Sequence, residues 1–219
     1  MSINVSFWSI RTVASSYGPY AACNKLVSDE SQFMAGEMEL GKDWAGRVQE
    51  ILNLLANPSF GHAVKTSAVE PLILAGDFNS PSHLNWTEEM KNEHCDWSFE
   101  WPATKLLMSR AGLTDSFREL YPDPKTVPGI TWSTVQKFTD LGWGWTVPEP
   151  QDRIDMILYS GKRLKPIHSQ PYQGKELVRR KPNEFENDYP SDHFAVITDF
   201  EIVGAIHTNA TKNDVDYEY

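Results

Sequence analysis

The sequence predicts a layered α/β fold, and three observations predict it. Leu72 to Ala75 in "PLILAGDFN" is continuously apolar, the character of a short strand covered on both faces. "DRIDMILYS" alternates instead, with Ile154, Met156 and Leu158 on one face and Asp155 and Ile157 on the other. Ahead of both, "DWAGRVQEILNLL" from Asp43 to Leu55 sets Val48, Ile51, Leu52 and Leu55 on one helical stripe, leaving Arg47 and Glu50 for solvent. Strands interleaved with helices, and no linker long enough to divide two domains, describe one layered α/β unit.

Taken in order, Ile3, Val5 and Phe7 alternate with polar residues as a first strand does. A Gly-Pro turn follows in "SSYGPYAACNKLV", and Pro19 suits the first turn of a helix. Asn57-Pro58 stops the Asp43–Leu55 helix. The loop after the Leu72 strand carries Trp86, Trp97 and Trp101, an aromatic set suited to a partner surface, with at least one ring expected in the core. A helix is expected over Ala103–Ala111, ending at Gly112, and "GITWSTV" resumes a strand pattern. "HFAVITDFEIVG" gives the last strand, and "HTNATKNDVDYEY" reads as a polar, acidic terminus.

Composition narrows the function classes. The hydrophobic set makes up 40% of the 219 residues, with 8 Trp, 10 Phe and 8 Tyr, ample for a core without metal or disulfide staples. The formal charge of -10 disfavours a nucleic-acid partner held by bare electrostatics, while an acidic site that first captures a cation still suits a phosphate, because the ion inverts the local field. Lys175, Arg179, Arg180 and Lys181 form a local basic loop interrupted by acids, read as solvated surface. Cys23 and Cys95 match no zinc spacing and fit either one disulfide or two thiols. No apolar run is long enough to span a membrane. "MSINVSFWSI" reads as structure rather than a signal peptide, which implies a cytoplasmic location if Met1 is the true start and secretion if a signal lies upstream. Asn4, Asn85 and Asn209 head formal glycosylation triplets.

Candidate chemistry gathers at three turns. Asp77 and Asn79 lie two positions apart where the Leu72 strand ends, a carboxylate for a hard cation beside a neutral donor for a phosphoryl oxygen. An Asx turn closing the strand is the competing explanation. Asp192-His193 in "YPSDHFAV" joins a proton-handling imidazole to a carboxylate. Asp152 and Asp155 interrupt an apolar strand; Arg153 can neutralise a neighbour, while Asp155 needs a partner if its face is covered.

In this order, "GDFN", "DRIDMI" and "SDHFAV", with "GLTDSF" and "GITW" between the first two, resemble the endonuclease/exonuclease/phosphatase superfamily of DNase I-like proteins. The resemblance implies an incomplete four-layer α/β sandwich of the DNase I-like type over residues 1–204, followed by a polar tail at 205–219. It implies a metal-dependent phosphate-ester hydrolase, phosphodiesterase or phosphatase, with Mg²⁺ as cofactor and Mn²⁺ as a substitute, and a phosphate ester as substrate. By that resemblance Asp77 and Asp192 are metal-site carboxylates, Asn79 contacts phosphate, Asp155 orients His193, and His193 contacts phosphate and assists the attack of water.

The departures supply the alternative. Relatives carry an early strand ending in Asn and a later Glu metal ligand, neither of which is matched here; Glu37, Glu39 and Glu50 are poor replacements. Arg11-Thr12 stands where a Thr-His motif is usual. The second expectation is therefore a catalytically inactive binding or structural protein on a degenerate DNase I-like scaffold, with a protein partner or an N-terminal portion completing it.

Overall fold

The computed structural model describes residues 3–38, 45–133, 135–138 and 148–204. Four strands, β1 (Ser6–Arg11), β2 (Leu72–Asp77), β3 (Thr114–Asp115) and β4 (Asp155–Ser160), form one sheet in the order β1-β2-β4-β3. β1 runs parallel to β2, whereas β2 and β3 are antiparallel to β4. β5 (Leu164–Tyr172) and β6 (Ala195–Ile202) form a separate antiparallel pair. The helices are α1 (Gly18–Cys23), α2 (Glu30–Met38), α3 (Arg47–Ala56), α4 (Pro58–Thr66), α5 (Pro102–Ala111) and α6 (Ser116–Leu120). None is long and apolar enough to cross a membrane.

Period-2 alternation gives the four-stranded sheet two different faces. Leu72, Leu74, Met156 and Leu158 on one face are buried against Ile51, Phe60, Ala63, Leu107 and Ala111 from α3, α4 and α5. Each such side chain contributes roughly 1.5–3 kcal/mol by leaving water. The other face carries Phe7, Ile73, Ala75 and Ile157 and meets Phe194, Val196 and Phe200 from the β5–β6 side across a cavity. Helices, sheet and second sheet thus stack in sequence as an incomplete DNase I-like sandwich.

Several expectations change in detail. The first strand begins at Ser6, and the pairing of Ser6 with Leu72 turns Trp8 and Ile10 toward the helices while Phe7 is left 65% exposed. A one-residue change of register exchanges the faces of a strand. The expected helix is found as α3 from Arg47, but Arg47 is buried and paired with Glu37 rather than left in solvent, and residues 43–44 lie outside the described residues. Asn57 ends α3 and also starts α4, its side chain accepting from the amides of Ser59 and Phe60. "GITWSTV" does not form a strand among its described residues; Trp132 makes only an isolated bridge to Asp152. The Thr131 hydroxyl instead accepts from the amides of Ile154 and Asp155, replacing ladder bonds with a side chain. The expected tail at 205–219, with Asn209, and Glu39 lie outside the described residues.

The aromatic loop is core rather than a partner surface. Trp86 and Trp101 are buried with Phe33, Phe99 and Ala22, and Trp97 packs against them. Asn85 is buried with its amide bonded to Arg118, Arg153 and the Pro128 carbonyl, so it offers no accessible glycosylation acceptor. Cys23 and Cys95 form a disulfide, resolving the alternative that composition left open and tying the end of α1 to this cluster across 72 positions.

A loop of that length predicts a large stability contribution. Breaking the disulfide with Cys95→Ser should lower the urea unfolding free energy by about 2–4 kcal/mol, and an unchanged midpoint would show that the bond does not constrain the unfolded chain.

Candidate metal and phosphate site

The site forms where β2 ends and β4 begins. Their antiparallel register places Asp77 opposite Asp155, and the parallel register of β1 places Arg11 beside Asp77. Gly76 allows this close approach: at its φ of +156° a Cβ would lie 1.9 Å from the Ile10 carbonyl oxygen. Strand ends thus deliver three charged side chains to one edge of the inter-sheet space.

Asn79 closes the turn. Its backbone amide donates to Asp77 Oδ1 at 2.8 Å, and its Nδ2 donates to Asp77 Oδ2 at 2.9 Å and to the Thr12 carbonyl at 2.8 Å. The Asx turn is therefore present, and a φ of +43° at Asn79 falls in the left-handed region that Asn tolerates. Thr12 adds a hydroxyl bond to the Phe78 carbonyl. Asn79 thereby braces Asp77, because both hydrogens of its amide nitrogen are engaged by oxygens.

Asp155 holds the imidazole. His193 Nδ1 donates to Asp155 Oδ2 at 2.9 Å, which directs Nε2 to other chemistry. The His193 ring also lies 4.7 Å from that of Trp132. Asp77, Asp155 and His193 each offer one ligand atom, and these atoms lie within 4.8 Å of one another, a cluster able to coordinate a divalent cation. Two carboxylate oxygens and one imidazole nitrogen suit such an ion but leave most of an oxygen-rich shell unfilled. Asp192 stands outside this group and lines the adjacent cavity with Asn79 and His193. Asp152 faces elsewhere: it accepts from Tyr17 and Trp86, while Arg153 pairs with Asp115 at 2.6 Å.

The electrostatics favour a captured cation. Burial raises the Asp77 pKa, the Asn79 amide bond opposes that shift, and the neighbouring Asp155 charge raises it further. Burial acts to lower the His193 pKa, but the hydrogen bond and charge of Asp155, with the charges of Asp77 and Asp192, leave it raised. Arg11 supplies partial compensation, its Nε 3.6 Å from Asp77 Oδ2 on a side chain 76% exposed.

Sequence reasoning missed the aromatic wall beside this cluster. Tyr17, Tyr20, Phe33 and Trp132 line a cavity of about 680 Å³ that also touches Asn79 and His193. Tyr17 and Tyr20 flank the Gly-Pro turn, and their three-residue spacing was the available signal.

A family model for the Endonuclease/Exonuclease/phosphatase family matches residues 62–193. The chain is 48% identical over 199 residues to an uncharacterized protein of Caenorhabditis elegans, covering 91% of this chain and 60% of that protein. Among solved structures, it is similar to a Bacteroides thetaiotaomicron mannosyl-6-phosphatase at 16% identity and a TM-score of 0.37, covering 70% of this chain and 45% of that one. It is also similar to an endonuclease/exonuclease/phosphatase family protein from Leptotrichia buccalis at 24% identity and a TM-score of 0.33, covering 71% and 41%. The chain therefore spans 60% of the curated relative and under half of these two solved chains.

The Asp155–His193 bond predicts a measurable coupling. In metal-free protein, Asp155→Asn should lower the His193 midpoint followed by NMR of the imidazole. A raised folded-state pKa stabilises the protein fully below the unfolded His value of about 6.5, and that contribution is lost as pH rises through the folded value. The substitution should therefore destabilise the protein more in acid than in mild alkali, and an unmoved midpoint would refute the coupling.

Proposed function

For a chain that belongs to the endonuclease/exonuclease/phosphatase family, we propose metal-dependent hydrolysis of a phosphate ester at the Asp77/Asp155/His193 cluster. The convergence of these three donor groups within 4.8 Å carries the reading. A divalent cation, Mg²⁺ or Mn²⁺, would be held chiefly by Asp77 and Asp155 and would supply charge neutralisation on the phosphoryl oxygens.

The chain's own residues then divide the remaining work. Asn79 fixes both oxygens of Asp77, so the carboxylate does not swing away when a ligand arrives. Asp155 holds His193 through Nδ1, which leaves Nε2 to face a phosphoryl oxygen. Asp192, beside His193 on the cavity wall, is the nearby carboxylate suited to a cation or to the approaching water. In the overall step the oxygen of water bonds to phosphorus as the water gives up a proton, the bond from phosphorus to the ester oxygen breaks, and the released oxygen takes up a proton, so that the two transfers balance.

Arg11 favours a second reading. A guanidinium reaching toward Asp77 from the end of β1 partly occupies the place of a cation, which suits a phosphate-binding protein without turnover. The two readings part in one assay. Purified protein should hydrolyse phosphate esters in Mg²⁺ or Mn²⁺ and not in EDTA, and Asp77→Ala or His193→Ala should reduce the rate by at least about 100-fold. Phosphate binding without turnover in either ion would reject hydrolysis and leave the second reading standing.

A further inference from the structure

The cavity beside the metal and phosphate cluster has an aromatic wall built from side chains that the proposed hydrolysis does not use. At about 680 Å³ it has the size of a small-molecule site. Asn79 and His193 stand at its junction with the cluster, so a group attached to a phosphate held there can reach it.

Its wall has a particular chemistry. The Tyr17 hydroxyl donates to Asp152 Oδ2 at 2.6 Å, the Tyr20 hydroxyl to Glu149 Oε1 at 2.6 Å, and the Trp132 indole N–H to the same Glu149 oxygen at 3.1 Å. Neither Asp152 nor Glu149 lines the cavity. The polar tips of these rings are thus tied to carboxylates behind the wall, and what the rings offer the cavity is their aromatic surface, extended by Phe33. Two buried carboxylates are used to orient three rings, which is more construction than a surface cleft needs. Gly18 sets the wall close to the aromatic core, since a Cβ there would lie 2.5 Å from the Trp101 ring.

Charge does not select a cationic occupant: Glu37, buried on the wall, is matched by Arg47 Nη1 at 2.9 Å, and Arg11 and Asp192 bring one charge of each sign to the lining. We propose that this cavity receives an uncharged aromatic substituent of the phosphate ester, seated against Tyr17, Tyr20, Phe33 and Trp132 while the phosphoryl group lies at His193, beside the Asp77/Asp155 pair. The assignment rests on the phosphate-site reading above and names the substrate class for it: esters carrying one flat apolar group, in keeping with the net charge of -10, rather than polyanions.

Binding of phosphonates tests it separately from turnover, because the reaction cleaves no phosphorus–carbon bond. Calorimetry of the full chain in Mg²⁺ should find phenylphosphonate at least about 10-fold tighter than methylphosphonate, the gain expected from burying and stacking one ring. Gly36 lines the cavity with open space where its Cβ would stand, so Gly36→Phe should fill it and bring that ratio to about 1. Equal binding of the two phosphonates to the parent protein overturns the aromatic assignment and leaves the phosphate site intact. Binding of neither overturns both. A preference that survives Gly36→Phe places the ring elsewhere, and tighter binding of 2-(trimethylammonio)ethylphosphonate than of phenylphosphonate replaces the aromatic substituent with a cation; either result overturns the proposal.

Discussion

Two carboxylates placed side by side by strand register are the constraint to which the rest of the structure responds. Asp77 and Asp155 face each other across β2 and β4, partly removed from water, where like charges oppose one another most strongly. Left alone, such a pair would take up a proton or separate. Here Asn79 grips one carboxylate, His193 binds the other, and Arg11 approaches from the end of β1. Each answers the same local excess of negative charge, and none adds a further carboxylate. A divalent cation would relieve the repulsion directly, which makes the cluster intelligible as a binding site rather than as a chance collection of polar turns.

The pair stays in place because a second, fully buried network holds the surrounding loops. Arg153 binds Asp115 at 2.6 Å and Ser82 at 2.8 Å, and it shares Asn85 with Arg118. Arg118 then bonds the carbonyls of Tyr121, Val127 and Pro128. Asp115 also caps α6 through the amides of Phe117 and Arg118. The loop after β2, the β3–α6 corner and the residues before β4 are therefore joined by groups whose partners are nearly all protein. Removing one partner of such a pair costs roughly 3–5 kcal/mol, because the other charge stays buried. "GLTDSF" and "DRIDMI" are thus two halves of one clamp, and Arg153 neutralises Asp115 rather than its sequence neighbours.

What the sequence made legible was local. The Leu72 strand and the Ile154/Met156/Leu158 face were readable because burial follows a period of two, and the Ala103–Ala111 helix because Gly112 takes the left-handed position at its end. The turn at Asp77 and Asn79 was readable as chemistry and as an Asx turn, and both descriptions apply to the same atoms. Less was visible where partners lie far apart in the chain. α2 has no clear apolar stripe, since its buried residues are Phe33 and Glu37, and β5 contains two prolines that argue against a strand interior. The aromatic wall depends on Tyr17 finding Asp152 and Tyr20 finding Glu149, pairings 135 and 129 positions apart that no spacing rule supplies. The loop tryptophans suggested a surface for the same reason: burial of Trp86 and Trp101 depends on α1, α2 and the Cys23–Cys95 bond gathering around them.

Arg11 is the residue on which the two functional readings turn, and magnitudes decide how strongly it holds its place. A guanidinium that is mostly exposed and 3.6 Å from Asp77 forms a surface pair, worth about 0–1 kcal/mol and weakened further by salt. A doubly charged ion between Asp77 and Asp155 would interact with two carboxylates at shorter range and remove their mutual repulsion. The weaker contact yields first. Arg11 also lines the cavity shared with Asn79 and His193, where its parallel N–H donors would suit a pair of phosphoryl oxygens. On this balance Arg11 does not bar an ion from Asp77, and under the proposed hydrolysis it would act as a second cation toward the same phosphate rather than as a substitute for the ion.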